Sequence, residues 1–263
     1  MATTATERAF ARANLYRFLS LAFAYPTADI HKELTLGLEP ARVAARLISG
    51  ETGDLADAAA SQIEALERKG LAAGYRKTFT LSASPDCPLN ECAYSAKHVF
   101  QEVQDLADIA GFYTAFGLEI AGERPDELAA ELEFCALLAL KEGIARERGL
   151  RDQALVCREG SRLFLHDHLG RWAENIGRRI ELLAPDTPYA ALGRLLAAFA
   201  GHDVAALRAG PVNPYQDVPN PPPTIDDDGC PAEEGLGATA FELQGNDFIG
   251  ELTEAGSVAK RGP

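Results

Sequence analysis

The sequence predicts an all-α protein: one helical bundle over residues 6–208, followed by a proline-rich acidic tail, 209–263, that is largely irregular. Three observations carry this. Alanine and leucine dominate a hydrophobic fraction of 47 %, while Val, Ile and Thr are sparse, and Ala and Leu are strong helix formers. Apolar residues recur at spacings of three and four, the period of a helix face, and few stretches alternate as strands do. Helix start and stop signals separate these stripes.

The first helix is expected from about Thr6 to Ala24, stopped by Pro26. Shorter helices follow near Asp29–Leu36, Pro40–Ile48, Asp54–Lys69 and Leu71–Phe79. After a Ser- and Pro-rich loop, the pattern predicts one long helix over Glu91–Phe116. Val99, Val103, Leu106, Ala110 and Tyr113 would form its buried stripe and Gly117 its C-terminal cap. The next helix opens at Pro125, the favoured first position, with Asp126 and Glu127 in the first turn, and ends at Gly149. Leu128, Leu132, Cys135 and Leu138 are its buried stripe. Asp152 is expected to cap a helix reaching His166, and Leu169, Trp172, Ile176, Ile180 and Leu183 mark another stripe. Trp172 is expected in the core with its indole N–H partnered. Thr187-Pro188 starts the last core helix, ending near Gly201. Beyond Pro211 no apolar period survives, and such a segment buries too little surface to offset its ordering entropy. A short docked piece is expected around Phe241–Leu252.

Composition also narrows function. A net charge of -14 repels phosphate backbones, so nucleic acid is not an expected partner. The same field draws in basic ligands, including an arginine-bearing peptide. The five cysteines, odd in number and widely spaced, do not read as a disulfide framework and suit a reducing compartment. No apolar run approaches the ~20 residues of a membrane span, and the N-terminus lacks a cleavable apolar core. Arg8, Arg12 and Arg17 faintly resemble a transit peptide, but Phe10, Leu15, Phe18 and Leu19 fit the apolar face of a first helix better.

Catalytic and cofactor signatures are missing: no phosphate loop, dinucleotide fingerprint, zinc-protease helix or nucleophile elbow. Cys87 and Cys92 lack the second Cys/His pair of a zinc set. His166 and His168, two apart, are poor joint ligands on a helix. Asp226-Asp227-Asp228 reads as a solvated charge run. No metal, no cofactor and no enzymatic activity are expected. One constellation remains. Gly122 to Phe134 gathers Asp126, Glu127, Glu131 and Glu133 at one helix start, where repulsion between helix neighbours is a few tenths of a kcal/mol. Either helix dipole and solvation absorb this, or the acids face a basic partner.

Four segments in order resemble the TorD/DmsD/NarJ family of molybdoenzyme maturation chaperones. The first helix reads Asn14-Leu15-Tyr16-Arg17-Phe18-Leu19, leading to Tyr25-Pro26. Tyr75 and Phe79 precede Pro88-Leu89-Asn90-Glu91-Cys92-Ala93-Tyr94, similar to the family's Pro-x-x-Glu-Ser-x-Tyr. Pro125-Asp126-Glu127-Leu128, then Glu131-Leu132-Glu133-Phe134, resembles its Pro-Asp-His-Leu motif. Phe164-Leu165-His166-Asp167-His168-Leu169-Gly170-Arg171-Trp172 is the last. Glu127 stands where the family has histidine, and Cys92 where it has serine. The acidic tail looks like that of delta-type proteins accompanying periplasmic dimethylsulfide, ethylbenzene, selenate or chlorate molybdoenzymes. The resemblance implies a cytoplasmic chaperone that binds the twin-arginine signal peptide of a molybdoenzyme catalytic subunit, without membrane insertion, and holds it for cofactor insertion and export. The implied peptide site is Tyr75, Phe79, Glu91, Tyr94, Asp126, Glu127, Glu131, His168 and Trp172. Asp126, Glu127 and Glu131 would face the arginines; Tyr75, Phe79 and Tyr94 would form the walls. Rival readings are a helical adaptor for a folded partner and a helical enzyme using the acids and histidines.

Overall fold

The computed structural model describes residues 3–79, 86–96, 99–119, 124–210, 212–216 and 218–220. Among them the chain is helical, with no β-strand and one isolated antiparallel bridge. The helices are α1 (Ala5–Phe23), α2 (Ala28–Ile48), α3 (Gly50–Glu64), α4 (Arg68–Phe79), α5 (Cys92–Ser95), α6 (Val99–Ala115), α7 (Leu128–Glu147), α8 (Arg151–Asp167), α9 (Ala173–Leu183) and α10 (Pro188–Leu207), with a 3-10 turn at Leu169–Arg171. Phe241–Leu252, Asp226–Asp228 and Cys230 lie outside the described residues.

The second half of α1 is buried from Leu15 to Phe23 apart from Arg17, as suits a central helix, and α1 packs along α7 and α2. Its N-terminus is closed by a reciprocal cap. Glu7 N donates to Thr4 Oγ1 at 3.1 Å and Thr4 N donates to Glu7 Oε2 at 2.7 Å. α3 connects α2 to α10, α8 covers α7, and α9 lies on α10. The α9–α10 contact requires glycine on both sides, because a methyl on Gly177 or Gly193 would collide with the other's carbonyl oxygen. α10 is long and apolar enough to match a membrane span by length and composition; here Leu192, Leu195, Leu196 and Phe199 are all buried in the core.

Arg12 is a core residue. Its guanidinium bonds Asp203 twice, at 2.6 and 3.0 Å, and Glu142 at 3.0 Å, tying α1 to α10 and α7. Tyr16 Oη donates to Asp203 at 2.7 Å. All of these side chains are buried, so each charge depends on its partner.

Several element expectations are corrected. The two helices expected around Pro40 are one, α2, because Leu34, Leu38, Ala41 and Ala45 keep a buried stripe running through the proline. The carbonyl that proline leaves unbonded belongs to exposed Leu36, where water can satisfy it. The long helix expected over Glu91–Phe116 is two, separated by Ala96 in extended conformation. Of its expected stripe only Tyr113 is fully buried, while Val99 and Val103 are exposed. α7 starts at Leu128, so Pro125, Asp126 and Glu127 precede it rather than form its first turn. Leu150, not Asp152, holds the cap position of α8. α10 runs past Gly201 to Leu207 and stops at Arg208, whose φ of 56° is left-handed. The tail begins docked: residues 212–216 and 218–220 lie against the bundle.

Candidate functional site

The local frame is backbone. Glu91 N donates to Asp126 O at 2.9 Å and Leu128 N donates to Leu89 O at 2.8 Å, pairing the Asn90 and Glu127 segments. These bonds use the groups that an earlier start of α7 would need, which is why the acids of the Pro125 turn stand outside the helix. Tyr113 Oη, from α6, donates to Pro125 O at 2.7 Å and anchors the same turn.

Asp126 points inward from it. Its carboxylate accepts from Cys92 N at 3.1 Å and from Arg124 at 3.0 and 2.9 Å. Arg124 also reaches Glu102 on α6 at 3.0 Å. Glu131, one turn into α7, accepts from Trp172 Nε1 at 3.0 Å. Glu91 lies between these groups. Its Oε1 accepts from Tyr215 Oη at 2.9 Å and lies 3.3 Å from His168 Nδ1. His168 Nε2 in turn lies 3.3 Å from Asp108 Oδ2, not aligned as a hydrogen bond. Asp126, Glu91 and Glu131 are fully buried.

Two buried carboxyls in contact cannot both ionise without great cost. Burial first, then the charge of Glu91 and a hydrogen bond to it, push Glu131 well above the usual carboxylate range. Glu91 Oε2 and Glu131 Oε1 have no donor among the neighbouring groups. The raised Glu131 carboxyl favours its protonated form, whose O–H can donate to Glu91. Asp105, on α6, is also raised, chiefly by burial and in part by Glu91, while Ser95 Oγ donates to it at 2.7 Å.

Of the residues expected at a peptide site, the structure brings together Glu91, Tyr94, Asp126, Glu131, His168 and Trp172. Tyr94 packs on Trp172 with ring centroids 5.7 Å apart and donates to Pro88 O. Tyr75 and Phe79 belong to a different cluster, with Tyr189, Phe23 and Tyr25. Half-buried Glu127 stands between the two groups, raised by burial and by Asp126; the Tyr75 phenol is raised chiefly by its own burial and in smaller part by Glu127. The expectation that Asp126 and Glu131 face a ligand's arginines is therefore corrected: both point into the interior and are already paired. Trp172 is in the core with its N–H bonded, as its apolar stripe implied.

Sequence reasoning missed Arg124, Asp105, Asp108, Arg171 and Tyr215. Arg124 stands two residues before Asp126, a spacing that carries no helix-face signal. Tyr215 lies in a stretch whose composition reads as unpacked. The thiols of Cys87 and Cys92 are buried and raised, Cys87 to about 12, so they are protonated at neutral pH. Among the described residues no group of three or more acids, histidines or cysteines is placed to hold a metal ion. An apolar groove of about 450 Å³ runs between α1 and α2, lined by Phe10, Pro40, Val43 and Leu47, and none of the expected site residues lines it.

Comparison with known proteins agrees with the family resemblance. Residues 46–176 match the family model described as nitrate reductase delta subunit. Over 191 residues the chain is 30 % identical to the chlorate reductase assembly chaperone protein of Ideonella dechloratans, covering 71 % of this chain and 84 % of that one. Over 100 residues it is 40 % identical to the selenate reductase assembly chaperone protein of Thauera selenatis, a match spanning 35 % of this chain and half of that protein. A solved structure of a candidate redox enzyme maturation protein from Archaeoglobus fulgidus aligns with a TM-score of 0.46 and 18 % identity, over 71 % of this chain and 92 % of its own. With the chlorate reductase chaperone covered over most of its length and the family model matched from the last turn of α2 to the first turn of α9, the chain belongs to the nitrate reductase delta subunit family, the TorD/DmsD/NarJ family that its motifs resemble.

Proposed function

We propose that this protein is a cytoplasmic assembly chaperone for the catalytic subunit of a molybdenum-containing reductase or related oxidoreductase. It binds the twin-arginine signal peptide of the precursor and holds the subunit until its cofactor is inserted and export can begin. It is a binding protein and not an enzyme. The observation that carries this is the similarity to two reductase assembly chaperones, one of them across most of its length.

The surface chemistry supports it. A signal peptide couples a basic segment to an apolar helix-forming one, and such a helix seeks an apolar surface. α6 offers both kinds of contact. Its first turns expose Val99, Phe100 and Val103, with Phe100 82 % exposed, and the same helix carries Asp105 and Asp108 toward Glu91 and His168. The net charge of -14 attracts a basic ligand from a distance.

Titration calorimetry with the signal peptide of the candidate client tests this. The wild-type peptide should bind, and replacing its two arginines by glutamine should weaken binding by about tenfold or more, roughly the worth of one charge-assisted hydrogen bond. Added salt should narrow that difference. Equal affinity for both peptides would contradict the role given to the arginines.

A further inference from the structure

The segment after α10 is held like a ligand. Tyr215 N donates to Arg171 O at 2.9 Å, and Asn175 Nδ2 donates to Tyr215 O at 2.8 Å. Both backbone groups of that residue are thus met as those of any bound extended peptide would be. The Arg171 guanidinium stacks 4.0 Å from the Tyr215 ring centroid and its Nε donates to Asn213 O at 2.9 Å. Further along, Asn220 N donates to Ala93 O at 2.7 Å, and its side chain donates to Tyr94 O and Ala96 O at 3.1 and 2.9 Å.

None of the described residues 212–216 and 218–220 is fully buried, and Val218 is exposed. Tyr215 is the residue of this stretch that packs against the core. A segment fixed by surface hydrogen bonds and one aromatic anchor belongs to the low-stability end of a fold. Beneath it lie Glu91, Glu131 and His168, all buried; apart from the contact between the two glutamates no neighbouring group donates to Glu91 Oε2, and His168 Nε2 makes no hydrogen bond. The phenol of Tyr215 satisfies one oxygen of this acid group and brings no charge. A guanidinium or ammonium would meet two carboxylate oxygens and supply the missing charge. Arg171 opposes such a ligand, but the carboxyls of Glu91, Asp105 and Asp108 around it outweigh that single cation.

We propose that residues 212–216 and 218–220 form an internal strap occupying the binding site of a basic, extended peptide, and that such a peptide displaces Tyr215 and places a cationic side chain against Glu91. The inference rests on the proposed function, since it takes the client's arginine segment as that peptide. The strap then sets a threshold. Apparent affinity falls by the fraction of molecules in which the site is open, so a weak or non-cognate basic segment is rejected while a matched one is admitted.

The test is calorimetry on the full chain with a synthetic peptide carrying an Arg-Arg pair followed by an apolar helical stretch, and with its Gln-Gln counterpart. Tyr215→Phe removes the bond to Glu91 and keeps the ring over Arg171; Asn220→Ala releases the far end. Each should bind the Arg-Arg peptide more tightly than wild type, with the two together gaining about tenfold. Glu91→Gln added to either should erase the gain. Should the double variant fail to fold by circular dichroism, Tyr215→Phe alone decides. Unchanged or weaker binding in the folded variants overturns the strap and leaves the chaperone role standing. No binding to any of the chains, wild type included, overturns the peptide-binding role and the strap with it. A gain shown equally by the Gln-Gln peptide overturns the basic occupant.

Discussion

Trp172 joins the fold to the buried acid group, and its removal should be costly in a way that can be separated into parts. The side chain is 1 % exposed, its ring packs on Tyr94, and its N–H is bonded to Glu131 at 3.0 Å. Trp172→Ala deletes the largest fully buried side chain of the molecule's described core, and such deletions destabilise by roughly 3–5 kcal/mol. Trp172→Phe keeps most of the apolar volume and loses the donor. An orphaned buried acceptor costs roughly 1–3 kcal/mol, more for a charged one. Burial holds Glu131 well above the usual carboxylate range, which favours a neutral acceptor, so the lower end of that range applies. In thermal unfolding followed by far-UV circular dichroism, Trp172→Phe should lose about 2–4 °C and Trp172→Ala roughly 6–20 °C, at about 2–4 °C per kcal/mol for a chain of this size. Denaturant titration should show the same order with an unchanged slope. An alanine variant that melts within about 2 °C of wild type would refute the core assignment of Trp172. If that variant also lost peptide affinity, the tryptophan would belong to the binding surface.

Other consequences concern charge. Because the folded pKa of Glu131 is raised above its unfolded value, the native state binds the extra proton in the interval between them. The favourable contribution is complete below about pH 4.5 and is lost as pH rises through that interval. Glu131→Gln keeps an acceptor for Trp172 and a donor for Glu91 without titrating, so its melting temperature should gain on wild type as pH is raised above 4.5; parallel curves would show that Glu131 does not hold the proton. Arg12→Met leaves Asp203 and Glu142 buried without their shared cation and should destabilise by roughly 3–5 kcal/mol in urea titrations. A loss under about 1 kcal/mol would mean that the network is solvated.

The bundle was legible because its helices carry their own periodicity and punctuation. Leu128, Leu132, Cys135 and Leu138 lie on one face of α7 and are all buried, and Gly117 and Gly149 take the left-handed conformation their positions suggested. Thr187 and Pro188 start α10 as expected. Periodicity failed where a non-local contact decided. Asn90 and Glu127 pair across 37 positions of sequence, just before α5, and that pairing delays the start of α7. Spacing likewise put Asp126 and Glu131 near one helix start without saying which way they point. An acidic side chain is a poor default for the interior, so an outward, ligand-facing role was the natural expectation. Arg124, Trp172 and the raised Glu131 carboxyl supply the inward solution. Tyr215 was invisible for a related reason: one aromatic anchor in a polar stretch leaves no period to detect.

The most direct test of the chaperone role is to isolate the protein from its native host and identify what is bound by mass spectrometry of intact chains. A precursor of a molybdoenzyme catalytic subunit that retains its N-terminal signal peptide is the expected partner, and deleting that peptide from the precursor should abolish its recovery. Recovery of the mature subunit without its signal peptide, or undiminished recovery of the deleted form, would contradict the account.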